Sequence, residues 1–148
     1  MTAIKAGSYN IEHLLVIKTA SSIVYEALTT QNGLAEVWTR ELIVKPVVGF
    51  VNEFRFGKDV DKMKITRLTE NRLIVWDVID SDPEWIGTVI SFALEEKNGA
   101  TVITLKQEKW REVTDFYRSC NYNWGFFLLS LKSYCEKGKG MPYQEREF

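Results

Sequence analysis

The stretch that decides the fold is residues 113–137, VTDFYRSCNYNWGFFLLSLKSYCEK, near the end of the printed sequence. Its apolar residues recur at steps of three and four, which places them on one stripe of an α-helix; they are Val113, Phe116, Tyr117, Cys120, Trp124, Phe127, Leu128, Leu131 and Cys135. Gly138 follows directly, as is typical of a residue that ends a helix in a left-handed conformation. The pattern predicts one long helix whose apolar face needs another element to cover it.

The chain before this helix, from about residue 41 to 109, has the period-two pattern of β-strands. Phe50, Phe54 and Phe56 all lie at even positions, so one face of their strand is aromatic. Asn98 and Gly99 form the dipeptide that most strongly indicates a tight hairpin between two strands. Hairpins of this kind join neighbouring strands, so we expect an antiparallel sheet with one buried face.

The N-terminal part adds one more strand and two short helices. Residues 9–19, YNIEHLLVIKT, are rich in β-branched and other aliphatic side chains and predict a first strand. Ser21 and Ser22 are candidate caps for a short helix, and a second helix restarts at Leu34. The order therefore predicts an α+β fold, in which a curved antiparallel sheet of about six or seven strands surrounds the long C-terminal helix. We expect a single domain over residues 1–148, with a loose tail at 139–148.

Composition excludes several classes of function. The net charge is −1 and the pI is about 5.9. The chain therefore lacks the excess of positive charge with which proteins bind nucleic acids or anionic membranes. The sequence contains no run of 18 apolar residues, so no membrane-spanning helix is predicted. Residues 1–10 lack the apolar stretch that forms the core of a signal peptide. Cys120 and Cys135 fall about 22 Å apart on the predicted helix, too far for a disulfide. These features predict free thiols and a cytoplasmic location.

No metal or cofactor motif is visible. Asp80, Asp82 and Glu84 alternate as in a calcium loop, but Trp85 occupies the sixth position, where such loops need glycine, and no glutamate closes the loop. A solvated acidic turn is the better interpretation. One histidine and two distant cysteines cannot supply a zinc site, and the glycine-rich nucleotide motifs are missing. We therefore expect neither a metal nor a cofactor.

His13 is the only histidine, the residue type that most often acts as a base near neutral pH. It shares strand parity with Ile11, Leu15 and Ile17, so we expect its side chain to face the cavity. A structural or surface role is favoured over a catalytic one, because no titratable partner lies at a recognisable spacing. A dyad with either cysteine stays open, although no local signature supports it.

The aromatic residues are the strongest candidates for a binding site. For each one, ordinary core packing is the simpler explanation, but large rings also line pockets for apolar ligands. Phe116 belongs to the same candidate group. The predicted ligand-binding residues are Phe54, Phe56, Trp76, Phe92, Trp110, Tyr117, Trp124 and Leu128. A run of mixed charges is interpreted as a solvated loop and strand face; it comprises Lys58, Asp59, Asp61, Lys62 and Lys64.

Four stretches carry a resemblance to a known family. Residues 23–29, IVYEALT, are similar to its xVWxALT motif, and residues 33–38, GLAEVW, to its GLxxWW motif with Val37 in place of one tryptophan. Residues 99–105, GATVITL, resemble GGTxLTL, and residues 123–138 resemble its ending W…L…LK…E.G. The sequence thus resembles the START/Bet v 1-like superfamily of SRPBCC domains. Its closest likeness is to the branch homologous to the C-terminal domain of the heat-shock chaperone ATPase activator. Ala20 replaces the proline that usually precedes the first helix.

The resemblance implies a helix-grip fold with a cavity between the sheet and the long helix. Its first functional implication is non-enzymatic binding of a small hydrophobic ligand, lipid- or polyketide-like. The alternatives are an interaction protein that stimulates a heat-shock chaperone, and an enzyme of the cyclase or hydrolase type. The 148 residues include no counterpart of the N-terminal chaperone-docking domain of eukaryotic members, which favours the ligand-binding interpretation. The expected partners are an apolar ligand and, in the alternative, a heat-shock chaperone.

Overall fold

The computed structural model describes residues 7–146 and contains the elements in the predicted order. A first strand is followed by two short helices, a run of strands and a long C-terminal helix. The elements are β1 Tyr9–Ile17, α1 Ser21–Thr29, α2 Gln31–Val37, β2 Leu42–Ile43, β3 Val51–Phe56, β4 Asp59–Thr69, β5 Leu73–Asp80, β6 Val89–Lys97, β7 Ala100–Trp110 and α3 Asp115–Lys137.

The strands form one antiparallel sheet in the order β1-β7-β6-β5-β4-β3-β2, with β1 and β2 at its edges. The hairpin predicted at Asn98 and Gly99 is confirmed: Lys97 pairs with Ala100, and both turn residues have positive φ, 52° and 77°. This pair of positive φ values gives the turn the twist that the flanking strands require. Register shifts occur between β1 and β7 and twice between β4 and β5. Such bulges bend a sheet.

The long helix α3 covers one face of this sheet, and the predicted α+β helix-grip fold is confirmed. The hydroxyl of Thr114 caps the first turn by accepting a hydrogen bond from the amide of Tyr117 at 3.1 Å. Gly138 ends the helix in the left-handed conformation, with φ 80°. Most buried side chains of α3 belong to the predicted stripe, with Ser130 added; they are Cys120, Trp124, Phe127, Leu128, Ser130 and Leu131. Val113 was placed in the stripe wrongly, because the helix begins at Asp115 and Val113 is 40% exposed before it.

The serine caps predicted for α1 are wrong. Its N-cap is Ala20, which offers no side-chain cap. The amide of Ser21 instead donates to a carboxylate oxygen of Glu96 at 2.7 Å. A negative charge near a helix N-terminus also interacts favourably with the helix dipole. Because Glu96 lies on β6, the capping group comes from tertiary structure, and local sequence gave no sign of it.

The loose tail predicted from residue 139 is also wrong over the part that the structure describes. The amide of Tyr143 donates to the carbonyl of Trp38 at 2.7 Å, and the amide of Met141 donates to the hydroxyl of Ser130 at 2.7 Å. Gly140 lies so close to α2 that an added Cβ would stand 2.2 Å from the carbonyl oxygen of Glu36. Polar side chains made this segment look solvated, but its backbone is fixed by hydrogen bonds. That the chain is a single domain stays a prediction.

Within residues 7–146, none of the helices is both long and apolar enough to cross a bilayer.

Candidate functional site

A cavity of about 540 Å³ opens between the N-terminal half of α3 and the β3–β4 hairpin. Its walls come from the end of α2, from β3 and β4, from the β5–β6 connection, from α3 and from the C-terminal segment. We call it the aromatic cavity. Its lining residues are Trp38, Phe56, Lys58, Asp59, Val60, Asp61, Ser81, Asp82, Trp85, Phe116, Cys120, Asn123, Trp124, Phe127, Tyr143 and Arg146.

Aromatic rings form the deep wall of the aromatic cavity. The ring of Trp38 lies 5.7 Å from that of Trp124 and 5.2 Å from that of Phe127, measured between centroids. Phe56 packs edge-on against Trp38 at 5.2 Å. Trp85 and Trp124 stack with centroids 5.9 Å apart and planes 7° from parallel. Rings held in fixed mutual orientations provide a large, rigid apolar surface.

A chain of buried hydrogen bonds orients the two stacked tryptophans. The indole of Trp124 donates to the side-chain oxygen of Gln107 at 2.8 Å, and the amide nitrogen of Gln107 donates to the hydroxyl of Thr88 at 3.0 Å. That hydroxyl donates in turn to the carbonyl of Trp85 at 2.7 Å. Both are buried, Gln107 on β7 and Thr88 in the connection immediately before β6. Gln107 therefore links the ring of Trp124 to the backbone of Trp85 through groups that are paired with one another.

Cys120 lies on this wall as a thiol. The indole of Trp85 donates a hydrogen bond to its Sγ at 3.3 Å. Burial raises the pKa of Cys120 to about 11, with nearby carboxylates adding to the effect. At neutral pH the group is therefore protonated, whereas a nucleophilic cysteine works as the thiolate. Cys135 is also free, and burial raises its pKa to about 12. The predicted free thiols are confirmed.

Charged and polar groups surround the mouth of the aromatic cavity. Lys58, Asp59 and Asp82 are exposed there, and Asp61 is half-buried. Burial raises the pKa of Asp61, and repulsion from Asp59, Asp82 and Asp80 raises it further, although a 2.6 Å hydrogen bond from Ser81 lowers it. The charge run expected to be wholly solvated thus supplies part of this mouth.

Arg146 closes one side of the mouth. Its guanidinium donates to the carbonyls of Met141 at 2.8 Å and Val37 at 3.2 Å. Burial lowers its pKa from the usual value. Tyr143, from the same segment, packs edge-on against Phe56 at 5.4 Å. The segment predicted to be loose is therefore a wall of the site.

The predicted ligand-binding residues fall into three groups. Phe56 and Trp124 line the aromatic cavity. Phe54, Trp76 and Phe92 lie beneath it, with exposures of 0%, 1% and 0%. We call these three the closed cluster. It contacts the lining directly, since the rings of Phe54 and Trp38 are 4.6 Å apart and those of Phe92 and Trp124 are 6.4 Å apart. The closed cluster is positioned to support the wall from behind.

The remaining predicted residues are not brought into the aromatic cavity. Trp110 packs edge-on against Tyr117 at 5.0 Å, and the hydroxyl of Tyr117 donates to the carbonyl of Asn10 at 2.7 Å. Leu128 lies on another side of α3, next to β1. Phe116 lines the cavity and also lies 6.3 Å from Trp110, between ring centroids. Whether any of these residues binds a ligand stays a prediction.

His13 faces α3 outside the aromatic cavity. Its Nε2 lies 2.9 Å from the side-chain oxygen of Asn121. A dyad of His13 with Cys120 has no support in this geometry, because the Sγ of Cys120 pairs with Trp85 instead. Cys135 lies on the same helix about 21 Å beyond Asn121, the partner of His13, so it is out of reach as well. Among residues 7–146, no three or more His, Cys, Asp or Glu side chains are grouped as metal ligands.

Several lining residues were missed by sequence reasoning. Trp38 and Phe127 do lie on the predicted apolar faces of their helices, so helical periodicity could have included them. Trp85 lies in a connection without periodicity, and Tyr143 lies in the supposed tail. For these two residues, no pattern in the sequence pointed to the site.

Comparison with known proteins places these features in a family. The profile of the family described as "Activator of Hsp90 ATPase homolog 1-like protein" matches residues 18–136. The search of curated proteins returns no match. The chain is similar to the Aha1 dimer of Colwellia psychrerythraea, solved in solution, with 40% identity, a TM-score of 0.84, and coverage of 89% of this chain and 99% of the other.

More distant structures share the fold. A protein from Staphylococcus saprophyticus is 21% identical with a TM-score of 0.74, covering 89% of this chain and 95% of its own. One from Mesorhizobium loti is 19% identical with a TM-score of 0.75, covering 84% and 95%. At these identities the likeness concerns the fold alone. The family profile spans most of the sequence, and the helix, sheet and motifs described above agree with it. The chain therefore belongs to the family of Activator of Hsp90 ATPase homolog 1-like proteins.

Proposed function

We propose that the chain binds a small, mainly apolar molecule in the aromatic cavity, without transforming it. The observation that carries the proposal is the cavity of about 540 Å³ with aromatic rings in its depth and charged groups at its mouth. This volume lies in the range of pockets for small organic ligands, which are mostly apolar with a few placed polar groups. A lipid- or polyketide-like molecule would lay its apolar body against Trp38, Trp85 and Trp124.

The geometry favours binding over catalysis. Catalysis requires an acid, a base or a nucleophile positioned against the substrate. The thiol in the cavity wall, Cys120, has its pKa raised to about 11. The only histidine faces α3 elsewhere. The enzyme alternative would gain support from any turnover that is lost in His13→Ala, and activity that survives this substitution would remove the one named base.

The test of ligand binding is fluorescence titration with 1-anilinonaphthalene-8-sulfonate, followed by native mass spectrometry of the freshly purified chain. Trp124→Ala should weaken binding, but Trp124 also belongs to the core because it is only 3% exposed. Trp85→Leu is the sharper variant, since Trp85 is half-buried and lies in a loop. Removing one face of the stack should weaken probe binding roughly tenfold with little loss of stability.

Phe50→Leu is the matched control, because Phe50, like Trp85, is a half-buried aromatic residue in a connection, and it does not line the aromatic cavity. It should leave probe affinity unchanged. If a panel of lipids and apolar probes neither binds nor raises the melting temperature, the proposal is wrong, because a ligand of the native state must stabilise it.

A second candidate function is interaction with a heat-shock chaperone, as the family description implies for the proteins after which it is named. It is supported by membership of the family and by the 40% identity to a protein called Aha1. The measurement is the ATPase rate of purified Hsp90 with increasing amounts of the chain, together with a pull-down. The absence of both association and stimulation would exclude this candidate and leave ligand binding untouched.

We further propose that the chain self-associates, because the Colwellia relative is described as a dimer. Sedimentation velocity over a roughly hundredfold range of concentration measures this directly, since mass action makes the dimer fraction depend on concentration. A single species of monomer mass at the highest concentration would contradict it.

A further inference from the structure

The side of α3 that faces away from the aromatic cavity carries an apolar groove next to the free edge of the sheet. We call it the edge groove. It has a volume of about 530 Å³ and lies between β1 and one stripe of α3. Its apolar walls include Leu14, Leu15, Tyr122, Gly125, Phe126 and Leu129. The exposures of Tyr122 and Leu129 are 69% and 55%, so large side chains of this stripe are left in water. Leu14 is 68% exposed on the opposite face of β1, because its parity differs from that of Ile11 and Leu15. Contiguous apolar surface of this kind marks interaction sites.

The free edge of β1 is covered at both ends by side chains of α3. Tyr117 donates to the carbonyl of Asn10 at 2.7 Å, and Lys132 donates to the carbonyl of Val16 at 3.0 Å. The amide of Lys18 donates to Glu136 at 2.8 Å. All three contacts involve the backbone of even-numbered residues. The backbone N–H and C=O groups of the even-numbered residues of β1 therefore point away from β7.

Between the covered ends, Glu12 and Leu14 present their backbone groups in the same direction. Within the part of the chain that the structure describes, no side chain of α3 hydrogen-bonds to the backbone of either residue. An edge strand with open backbone donors and acceptors is a template for another strand. The edge groove thus combines an open length of strand with an apolar wall beside it.

We infer that the edge groove is where a second copy of this chain docks, with β1 of one copy antiparallel to β1 of the other; the inference rests on the proposed self-association. A two-fold axis at His13 sets Glu12 of one copy opposite Leu14 of the other. The two residues then exchange backbone hydrogen bonds on each side of the axis. The same axis brings the exposed apolar stripe of each α3 towards its equivalent.

The charges around the edge groove permit an identical partner. Arg118 is paired with Asp115 at 3.1 Å, and Glu12 lies 3.6 Å from the ammonium group of Lys106. Lys132 pairs with Glu136 at the far end. Each charge beside the groove therefore has an opposite charge within its own chain. Two copies can approach without a large like-charge repulsion, whereas a strongly charged partner finds no complementary field.

The experiment is sedimentation velocity on the full chain and two single variants. Leu129→Glu places a charge in the edge groove and should raise the dimer dissociation constant roughly tenfold or more. Val47→Glu is the matched control, because Val47 is 56% exposed in the connection before β3. It should leave the dissociation constant unchanged. Both sites are exposed, so both variants should fold, which circular dichroism checks.

A second pair of variants tests the strand register. Leu14→Glu and Leu14→Lys remove the same apolar side chain, but only the glutamate meets the like charge of Glu12 across the proposed pair. Leu14→Glu should raise the dimer dissociation constant roughly threefold to tenfold more than Leu14→Lys does. Equal effects would overturn the antiparallel pairing.

The outcomes separate the inference from the proposal beneath it. A wild-type chain that stays monomeric removes both self-association and the edge groove as its site. A wild-type dimer that Leu129→Glu leaves intact removes only the edge groove. A dimer that Leu129→Glu and Leu14→Glu dissociate, while Val47→Glu does not, supports the inference.

Discussion

The closed cluster and the aromatic cavity use the same kind of side chain for different purposes. Phe54, Trp76 and Phe92 in the closed cluster are 0–1% exposed and are surrounded on all sides. Phe56 and Trp85, at the cavity, are half-buried and have one side open. The two regions touch through Trp38 and Trp124. The difference teaches that aromatic content marks neither core nor site; what matters is whether another element completes the packing.

The largest expected effect comes from breaking the closed cluster. Phe92→Ala should lower the free energy of unfolding by about 3–5 kcal/mol, because it removes a fully buried ring and leaves a void. Urea denaturation followed by circular dichroism measures this. Phe56→Ala, at the cavity, should cost far less, about 1 kcal/mol, since part of that ring is already in contact with solvent. Equal losses from the two substitutions would abolish the distinction between the regions.

A smaller effect should follow from cutting the link between sheet and cavity. Gln107→Leu leaves the indole nitrogen of Trp124 and the hydroxyl of Thr88 without their partner. A buried donor without a partner costs roughly 1–3 kcal/mol, so we expect a loss of roughly 2–3 kcal/mol in urea denaturation. Probe affinity should fall as well, because the stacked tryptophans lose their anchor. Stability that falls while affinity stays constant would show that Gln107 serves the core alone.

The C-terminal wall offers a third test. In Gly140→Ala the new methyl group would stand 2.2 Å from the carbonyl oxygen of Glu36, so the segment that carries Tyr143 and Arg146 must shift. We expect a loss of roughly 1–2 kcal/mol in urea denaturation and a change in probe affinity. Gly125→Ala is the control: its Cβ meets nothing within 4 Å, and alanine in a helix should slightly stabilise the chain. An unchanged affinity in Gly140→Ala would show that the segment is no wall of the site.

The smallest effect concerns the charged mouth and depends on pH. The pKa of Asp61 is raised in the folded chain by burial and by its acidic neighbours. Its contribution to folding is therefore fully present below the ordinary value of 3.8 and is lost as the pH rises through the raised value. Asp61→Asn keeps a hydrogen-bond acceptor for Ser81 without the charge. We expect its melting temperature to exceed that of the wild type by about 1–3 °C at pH 7.

Melting curves of both proteins from pH 4 to pH 7 check this. The advantage of Asp61→Asn should grow across that interval and vanish towards its acid end. A difference that is independent of pH would mean that the carboxyl is as well solvated as the sequence interpretation of this charge run assumed.

Much of the fold was predictable because it depends on local periodicity. The stripe on residues 113–137, the alternation along β6 and the dipeptide Asn98-Gly99 each carry their own signal, and each element formed as expected. The failures share one cause. The cap of α1 comes from Glu96, and the anchoring of residues 139–146 comes from α2 and α3. In both cases a partner distant in sequence satisfies a backbone group.

The candidate site was predictable only in part. Trp124 and Phe56 were found because their positions follow the patterns of helix and strand. The same patterns selected Phe54, Trp76 and Phe92, which the structure encloses completely. Periodicity tells which side of an element is apolar, but not whether the facing element reaches it.

The sequence by itself determined the long helix, the strands, the antiparallel pairing of neighbouring strands and the family, since all of these are written in the spacing of apolar side chains and a few motifs. The placement of β1 beside β7 was decided only by the tertiary structure. Only the tertiary structure decided where the interior stays open. Trp85, Asp61 and Tyr143 come from a loop, a charge run and a supposed tail, and they meet because the chain folds back on itself. A cavity is the space that packing leaves unfilled, and it depends on the relative placement of distant segments, which no local pattern encodes.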